Sequence, residues 1–448
     1  MQDHETTGSE AGQTCAPQTR APACDDDLLR AGAAALARRI AAGEVSAREA
    51  AAAYVRRIEA LEPLVHAFAH FDPDLVMEQA LAADERQAAG ERLGALHGVP
   101  VTIKDWIEVE GWTCTAGFEE RRGFRPRRDA TAAVRLRAAG AVILGKTVTN
   151  DGGTLYPRPC NPHDLARSPG GSSGAEGAML AAFASPLGLG SDSGGSIRLP
   201  AAWCGVMGLK PTTGRVPLSG HFPLIGAISD PRTAIGPMAR CAEDLALSLG
   251  LTSGPDDRDP STVPAPLGEA SAVDVRSLRV GLTDLGGTDL SAEAWEALLA
   301  AGRRLESLGA AVETVELPIL EESLAVTQAY WARPESMSHR EWKPYGASTL
   351  SADAVEESLF RWERLQRRVE VFMADWDVLL CPVVVGVAAE HRRMAAHDYL
   401  YTLPFSLTGQ PAASVPAGLA GGLPLGVQIV GRRWREDVVL AAAGTLEG

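Results

Sequence analysis

Lysine is nearly missing from this chain. Lys104, Lys146, Lys210 and Lys343 are the only four, against 38 arginines among the 42 basic residues. Acidic residues outnumber basic ones, 57 to 42, for a formal charge of −15. Nucleic acids and anionic membrane surfaces are held by clustered basic side chains, so this balance argues against both as partners. The seven cysteines are odd in number and show no CxxC pair. That spacing predicts no zinc site, no disulfide framework and a reducing, cytoplasmic compartment. No apolar run reaches the ~18 residues of a membrane span. The best candidate, Val378–Ala389, is interrupted by Pro382 and Gly386. The first fifteen residues are polar and acidic, unlike a secretory signal.

What is present is a globular composition, 46% hydrophobic and 22% charged over 448 residues, sufficient for a large core. Residues 1–24 lack apolar periodicity and predict a disordered tail. Residues 25–448 predict one large domain with a helical excursion over 320–375. Ser46 and Glu49 form a capping box ahead of a helix that aligns Ala51, Val55 and Ile58. Val99–Ile103 reads as a short strand delivering Lys104 and Asp105 at its end. Residues 130–139 read as a helix closed by Gly140, followed by a buried strand over Ala141–Leu144. The same order recurs: strand Leu278–Leu282, a helix opening at Ser291, then strand Val312–Leu317 after Gly309. Val378–Val385 predicts a central strand. Ala413–Pro416 and Leu425–Val430, joined through Gly421-Gly422, predict a closing hairpin. This alternation predicts an α/β fold with one mixed sheet covered by helices on both faces.

Three motifs compete for the chemistry. Gly140 to Thr147 fits the GxxxxGK[ST] pattern of a nucleotide-binding phosphate loop. Its intervening Ala-Val-Ile-Leu are strand formers, however, and the helix precedes rather than follows. Lys146 is therefore read as a structural residue at a strand's end. Gly170-Gly171-Ser172-Ser173-Gly174 fits the GxSxG elbow, which needs a strand directly before it. Asp164–Pro169 is polar and ends in proline, so no strand feeds that turn. His221, His339, His391 and His397 lie downstream without a catalytic context. The third reading takes the whole stretch Arg167–Thr213. It places eight glycines between Gly170 and Gly195, while Leu180–Leu189 is apolar and reads as buried. Two Gly-Gly-Ser clusters anchored by a buried segment read as a built site, with hydroxyls on tight turns among exposed backbone amides. Such turns suit an anion or the oxyanion of acyl transfer.

With these residues in view, the chain resembles the amidase signature family. The resemblance rests on Leu96–Asp105 (LHGVPVTIKD), the Gly-Ser block, Gly236–Arg240 (GPMAR), Pro404–Pro411 (PFSLTGQP) and Gly426–Gly431 (GVQIVG). It implies a mixed sheet of about eleven strands and the hydrolysis or transfer of carboxamides, without metal or cofactor. It assigns Ser196 as nucleophile, Lys104 as base, and Ser172, behind a cis peptide, as the proton relay between them. The backbone N–H groups of Ser193, Gly194, Gly195 and Ser196 are the implied oxyanion donors. Asp192 and Arg198 are implied supports, and Ser173 a hydrogen-bonding partner in the turn. A lysine serves as a base only when uncharged, which burial away from carboxylates favours, so Asp105 is expected to point elsewhere. Trp106, Trp112, Trp331 and Tyr156 fit either a substrate pocket or the core, and Cys204 reads as a small buried hydrophobe. Ala175, Gly152-Gly153 and Thr233 depart from the common pattern. The expected partner is a small amide substrate, and the chain is compatible with a homodimer. Alternatives left open are a glutaminase subunit of an amidotransferase and an amide-forming acyltransferase, with a P-loop nucleotide-binding protein as the remote one.

Overall fold

Short polar residues set where the helices begin. Ser46 Oγ accepts from the Glu49 N–H while the Glu49 carboxylate accepts from the Ser46 N–H, and helix Ala47–Val65 then buries Ala51, Val55 and Ile58. Ser291 likewise caps helix Ala292–Ser307, which buries Leu298, Gly302 and Leu305 against the sheet. The computed structural model describes residues 20–24, 26–149, 155–223, 230–287, 289–331, 351–392 and 394–447.

Eleven strands form a single mixed sheet. In chain order they are β1 (Phe68–Phe71), β2 (Pro100–Lys104), β3 (Val142–Thr147), β4 (Leu187–Asp192), β5 (Met207–Lys210), β6 (Ala234–Ala239), β7 (Arg279–Leu282), β8 (Ala311–Thr314), β9 (Val378–Pro382), β10 (Ala412–Ala420) and β11 (Leu423–Gly431). Their spatial order is β1-β3-β2-β4-β6-β5-β10-β11-β9-β7-β8. β2 runs parallel to both β3 and β4, so Lys104 and Asp192 stand at the same, carboxyl-terminal edge. The predicted hairpin is β10–β11, turned at Gly421 (φ +57°) and Gly422 (φ +79°). Gly145, Lys146 and Thr147 are the last residues of β3, not a loop, so their backbone is committed to the sheet rather than to a phosphate. Among the described residues no strand runs directly into the Gly170–Gly174 turn, which leads into helix Gly174–Ala181.

Four strands escape the sequence reading: β1, β4, β5 and β6; β4 falls at the end of Leu180–Leu189, which reads in the sequence only as a buried apolar stretch. Pro237 lies inside β6, opposite Leu189 of β4. A proline in a run usually argues against a central strand, because it cannot donate to the ladder. Over 320–375 the described residues form two helices, Leu320–Trp331 and Ala352–Met373. The second buries Trp362, Leu365, Val369 and Met373 in a cluster with Leu379 and Cys381 of β9.

Two expectations need correction. Cys24 is buried and Ala21 N–H donates to the Pro162 carbonyl at 2.9 Å, so the end of the expected tail is packed. Cys24, Cys114, Cys204, Cys241 and Cys381 are free thiols, but Cys160 is disulfide-bonded. Pairing depends on which loops the fold brings together, and linear spacing does not encode that.

Glu176, in the first turn of helix Gly174–Ala181, is fully buried beneath the sheet. It accepts hydrogen bonds from Thr102 Oγ1 of β2 (2.6 Å) and Thr147 Oγ1 of β3 (2.8 Å). Burial pushes its carboxyl up to about 7, and the two hydroxyls only partly offset that. A carboxyl raised in the folded state binds its proton more tightly there than in the unfolded chain, so stability falls as pH rises from about 4.5 through about 7. Glu176→Gln should remove that part of the slope, as read by urea midpoints measured across the same pH range.

Candidate active site

β2 ends by carrying Lys104 into the interior, where its side chain is wholly buried. Its Nζ stands 2.6 Å from Ser172 Oγ, 3.2 Å from Ser191 Oγ and 3.3 Å from the Ser191 carbonyl oxygen. The Gly171–Ser172 peptide bond is cis, as the family resemblance implies. Ser172 is itself buried, whereas Ser196 is partly exposed. The turns carrying the two serines are joined by a hydrogen bond from the Ser173 N–H to the Ser196 carbonyl, 3.1 Å. Ser173 Oγ also bonds the Ser191 backbone, donating to its carbonyl at 3.3 Å and accepting from its N–H at 3.4 Å.

Asp105, adjacent to Lys104, points elsewhere. Its Oδ2 accepts from Thr115 Oγ1 (2.6 Å) and from the N–H groups of Thr115 and Ala116, both at 2.9 Å. Its Oδ1 faces Lys146 Nζ at 3.7 Å, with both side chains buried. Burial pushes the Asp105 carboxyl up, with Lys146 acting against it. Lys146 also donates to the Ile107 carbonyl at 2.5 Å, which is the structural role read for it.

Asp192 and Arg198 form a buried pair with no exposed surface on either side chain. Arg198 Nε and Nη2 donate to Asp192 at 3.0 Å each. The remaining donors reach the Thr402 carbonyl (3.0 Å), Gln428 Oε1 (2.6 Å) and Ser406 Oγ (2.7 Å). Burial works to raise the Asp192 carboxyl, but the guanidinium and its hydrogen bonds win and hold it below the usual range. From that position Asp192 accepts from the Gly195 N–H at 2.7 Å and from the Ile197 N–H at 3.2 Å.

The expected oxyanion donors are therefore not equivalent. The Gly195 N–H is taken by Asp192, because a carboxylate three residues back folds onto its own turn. The N–H groups of Ser193, Gly194 and Ser196 have no acceptor among the described residues. Gly195 sits at φ +137°, and a Cβ there would collide with Thr402 Oγ1, so only glycine fits. Thr402 Oγ1 closes the same loop by donating to the Gly194 carbonyl at 2.6 Å. Thr233, one of the departures from the family pattern, bonds Ser193 Oγ at 2.6 Å.

Among the aromatic candidates, Trp106 lies beside the site, with Lys104 Nζ 4.7 Å from its ring centroid. Trp112 is core, packed edge-on against His70, and Tyr156 lies farther out, its hydroxyl 3.2 Å from Thr115 Oγ1. Cys204 is fully buried, and burial pushes its thiol up. Gly152, Gly153, His339 and the Trp331 side chain lie outside the described residues. Ser191, Thr402, Ser406 and Gln428 were not singled out by sequence reasoning, and His221 was named there only as a histidine without a catalytic context. Three of them sit in or beside the stretches PFSLTGQP and GVQIVG, which carry the resemblance but announce no chemistry.

The chain is similar to known proteins along most of its length. The family model described as Amidase matches residues 49–344 and 343–440. The chain is 34% identical to a glutamyl-tRNA(Gln) amidotransferase subunit of Salinispora arenicola (strain CNS-205), over 94% of this chain and 97% of that protein. It is also 34% identical to an acylamidase of Rhodococcus erythropolis, over 94% of this chain and 96% of that one. The solved structure of 6-aminohexanoate cyclic dimer hydrolase superposes with a TM-score of 0.80 at 28% identity, covering 94% of this chain and 97% of the other. The chain thus belongs to the amidase signature family and is an amide-hydrolysing enzyme.

Proposed function

We propose that the chain cleaves the C–N bond of a small carboxamide through an acyl-enzyme on Ser196. The observation that carries this reading is the 2.6 Å contact between buried Lys104 Nζ and Ser172 Oγ, beside a partly exposed Ser196. In this mechanism the uncharged amine of Lys104 takes the Ser172 proton as Ser172 takes that of Ser196. The Ser196 oxygen bonds to the amide carbonyl carbon, since an alcohol attacks well only when a neighbour removes its proton. The N–H groups of Ser193, Gly194 and Ser196 receive the oxyanion. The C–N bond then breaks as Ser172 returns a proton to the leaving nitrogen. Water releases the acid by the reverse relay, and an amine in place of water would make a new amide. No metal or cofactor enters these steps.

A second reading, a glutaminase that works with a partner chain, is favoured by the likeness to an amidotransferase component. Ammonia release from glutamine by the isolated chain, with and without candidate partner chains, separates the two. The net charge of −15 supports a small-molecule substrate rather than nucleic acid. Among the described residues no helix is long and apolar enough to cross a membrane. Five free thiols favour a cytoplasmic location, and the bonded Cys160 weighs against it.

Ser196→Ala and Lys104→Ala should each cut amide turnover by about 10³-fold or more, with thermal unfolding close to wild type. Wild-type turnover by Lys104→Ala would overturn the relay. A panel of aliphatic, aromatic and peptide amides, assayed for amine or ammonia release, supplies the substrate. Asp192→Asn removes one partner of a buried ion pair and should cost about 3–5 kcal/mol in urea unfolding, with activity falling as the nucleophile turn loosens.

A further inference from the structure

His221 is drawn to the base by the backbone. Residues 218–223 run back along the segment that follows β2: Ile107 bridges His221, Glu108 N–H donates to the Gly220 carbonyl (2.9 Å), and Phe222 N–H donates to the Trp106 carbonyl (2.7 Å). The imidazole is buried, edge-on to Trp106 with ring centroids 5.9 Å apart. Its Nδ1 lies 3.3 Å from the Pro223 carbonyl oxygen and its Nε2 lies 3.0 Å from Ser191 Oγ. A carbonyl only accepts, so Nδ1 carries the hydrogen and Nε2 is left as the acceptor. Burial, the largest cause, pushes the imidazole down to about 3, so the ring is neutral in ordinary buffers.

The polarity of the next bonds follows. Ser191 O–H donates to His221 Nε2, so Ser191 Oγ meets Lys104 Nζ, 3.2 Å away, only as an acceptor. The Ser191 carbonyl, 3.3 Å from Nζ, accepts a second hydrogen, and its other lone pair serves Ser173 O–H. An uncharged amine has two hydrogens and one lone pair. In that form, turning both hydrogens to Ser191 would leave the lone pair for Ser172 Oγ, 2.6 Å away.

We propose that His221 is a positioning residue, which by accepting the Ser191 hydroxyl hydrogen aims the Lys104 lone pair at Ser172. The inference rests on the Lys104–Ser172–Ser196 relay proposed above. Without the imidazole, Ser191 O–H is released to donate into that lone pair and competes with Ser172 for the base.

The test is the second-order rate of Ser196 modification by a fluorophosphonate probe, read by peptide mapping across pH, on the full chain. His221→Phe should slow labelling about tenfold or more, and His221→Gln, whose amide oxygen restores an acceptor, should recover most of it. Ser191→Ala removes the group through which His221 acts, so adding His221→Phe to it should cause no further loss. Wild-type labelling rates in His221→Phe, or losses that multiply in the double variant, would overturn the inference while leaving the relay intact. Absence of labelling at Ser196 in the wild type, or a rate indifferent to Lys104→Ala, would overturn the relay and this inference together.

Discussion

An amine and a hydroxyl, both shut away from water and 2.6 Å apart, are the contact on which this site depends. Everything nearby serves to present it. β2 ends at Lys104 and its parallel neighbour β4 ends at Asp192, so the proposed base and the turn carrying Ser196 emerge at the same carboxyl edge of the sheet. Open α/β sheets generally place their sites at that edge, because the loops leaving parallel strands converge there. Ser172 then enters from the turn before helix Gly174–Ala181, whose buried face packs under the same strands.

The surrounding carboxylates are disposed of one by one. Asp105 is turned toward Lys146, Thr115 and Ala116. Asp192 is satisfied by Arg198 and by the nucleophile turn itself. Glu176 lies below, its carboxyl pushed up by burial and bonded to two threonines. An anion bonded directly to Lys104 would fix it as an ammonium and end its use as a base. Ser172 Oγ, Ser191 Oγ and the Ser191 carbonyl all lie within bonding distance of it, groups that can bond the uncharged form.

Much of this was legible in the sequence. The Val-Pro-Val-Thr-Ile-Lys run announced a strand ending in a buried lysine, and the Gly-Gly-Ser clusters announced turns with available amides. The mixed sheet and the closing hairpin followed from the alternation of elements and from Gly421-Gly422. What escaped has physical reasons. β6 contains Pro237, and β4, LGLGSD, has glycine at alternate positions, so neither shows a strand pattern. That the Gly195 amide turns to Asp192 depends on a side-chain rotamer, which spacing leaves open. His221 gains its meaning only because a distant segment folds back along Trp106 and Ile107, thirty residues from Ser191 in the chain. Linear spacing likewise gave no sign of the bond at Cys160.

All five guanidinium N–H directions of Arg198 are used, and three of them end on Thr402, Ser406 and Gln428, up to 230 residues further along the chain. The strand bearing Gln428, β11, lies four places from β4 in the sheet. A chain still on the ribosome would already hold Lys104, Ser172 and Ser196 long before those three acceptors had emerged. The guanidinium that steadies the turn carrying Ser196 would lack its anchors until residues 402–428 had been made. Order in that turn therefore waits on a far later part of the chain, so a fragment ending soon after Ser196 would hold the three side chains without the frame that fixes them.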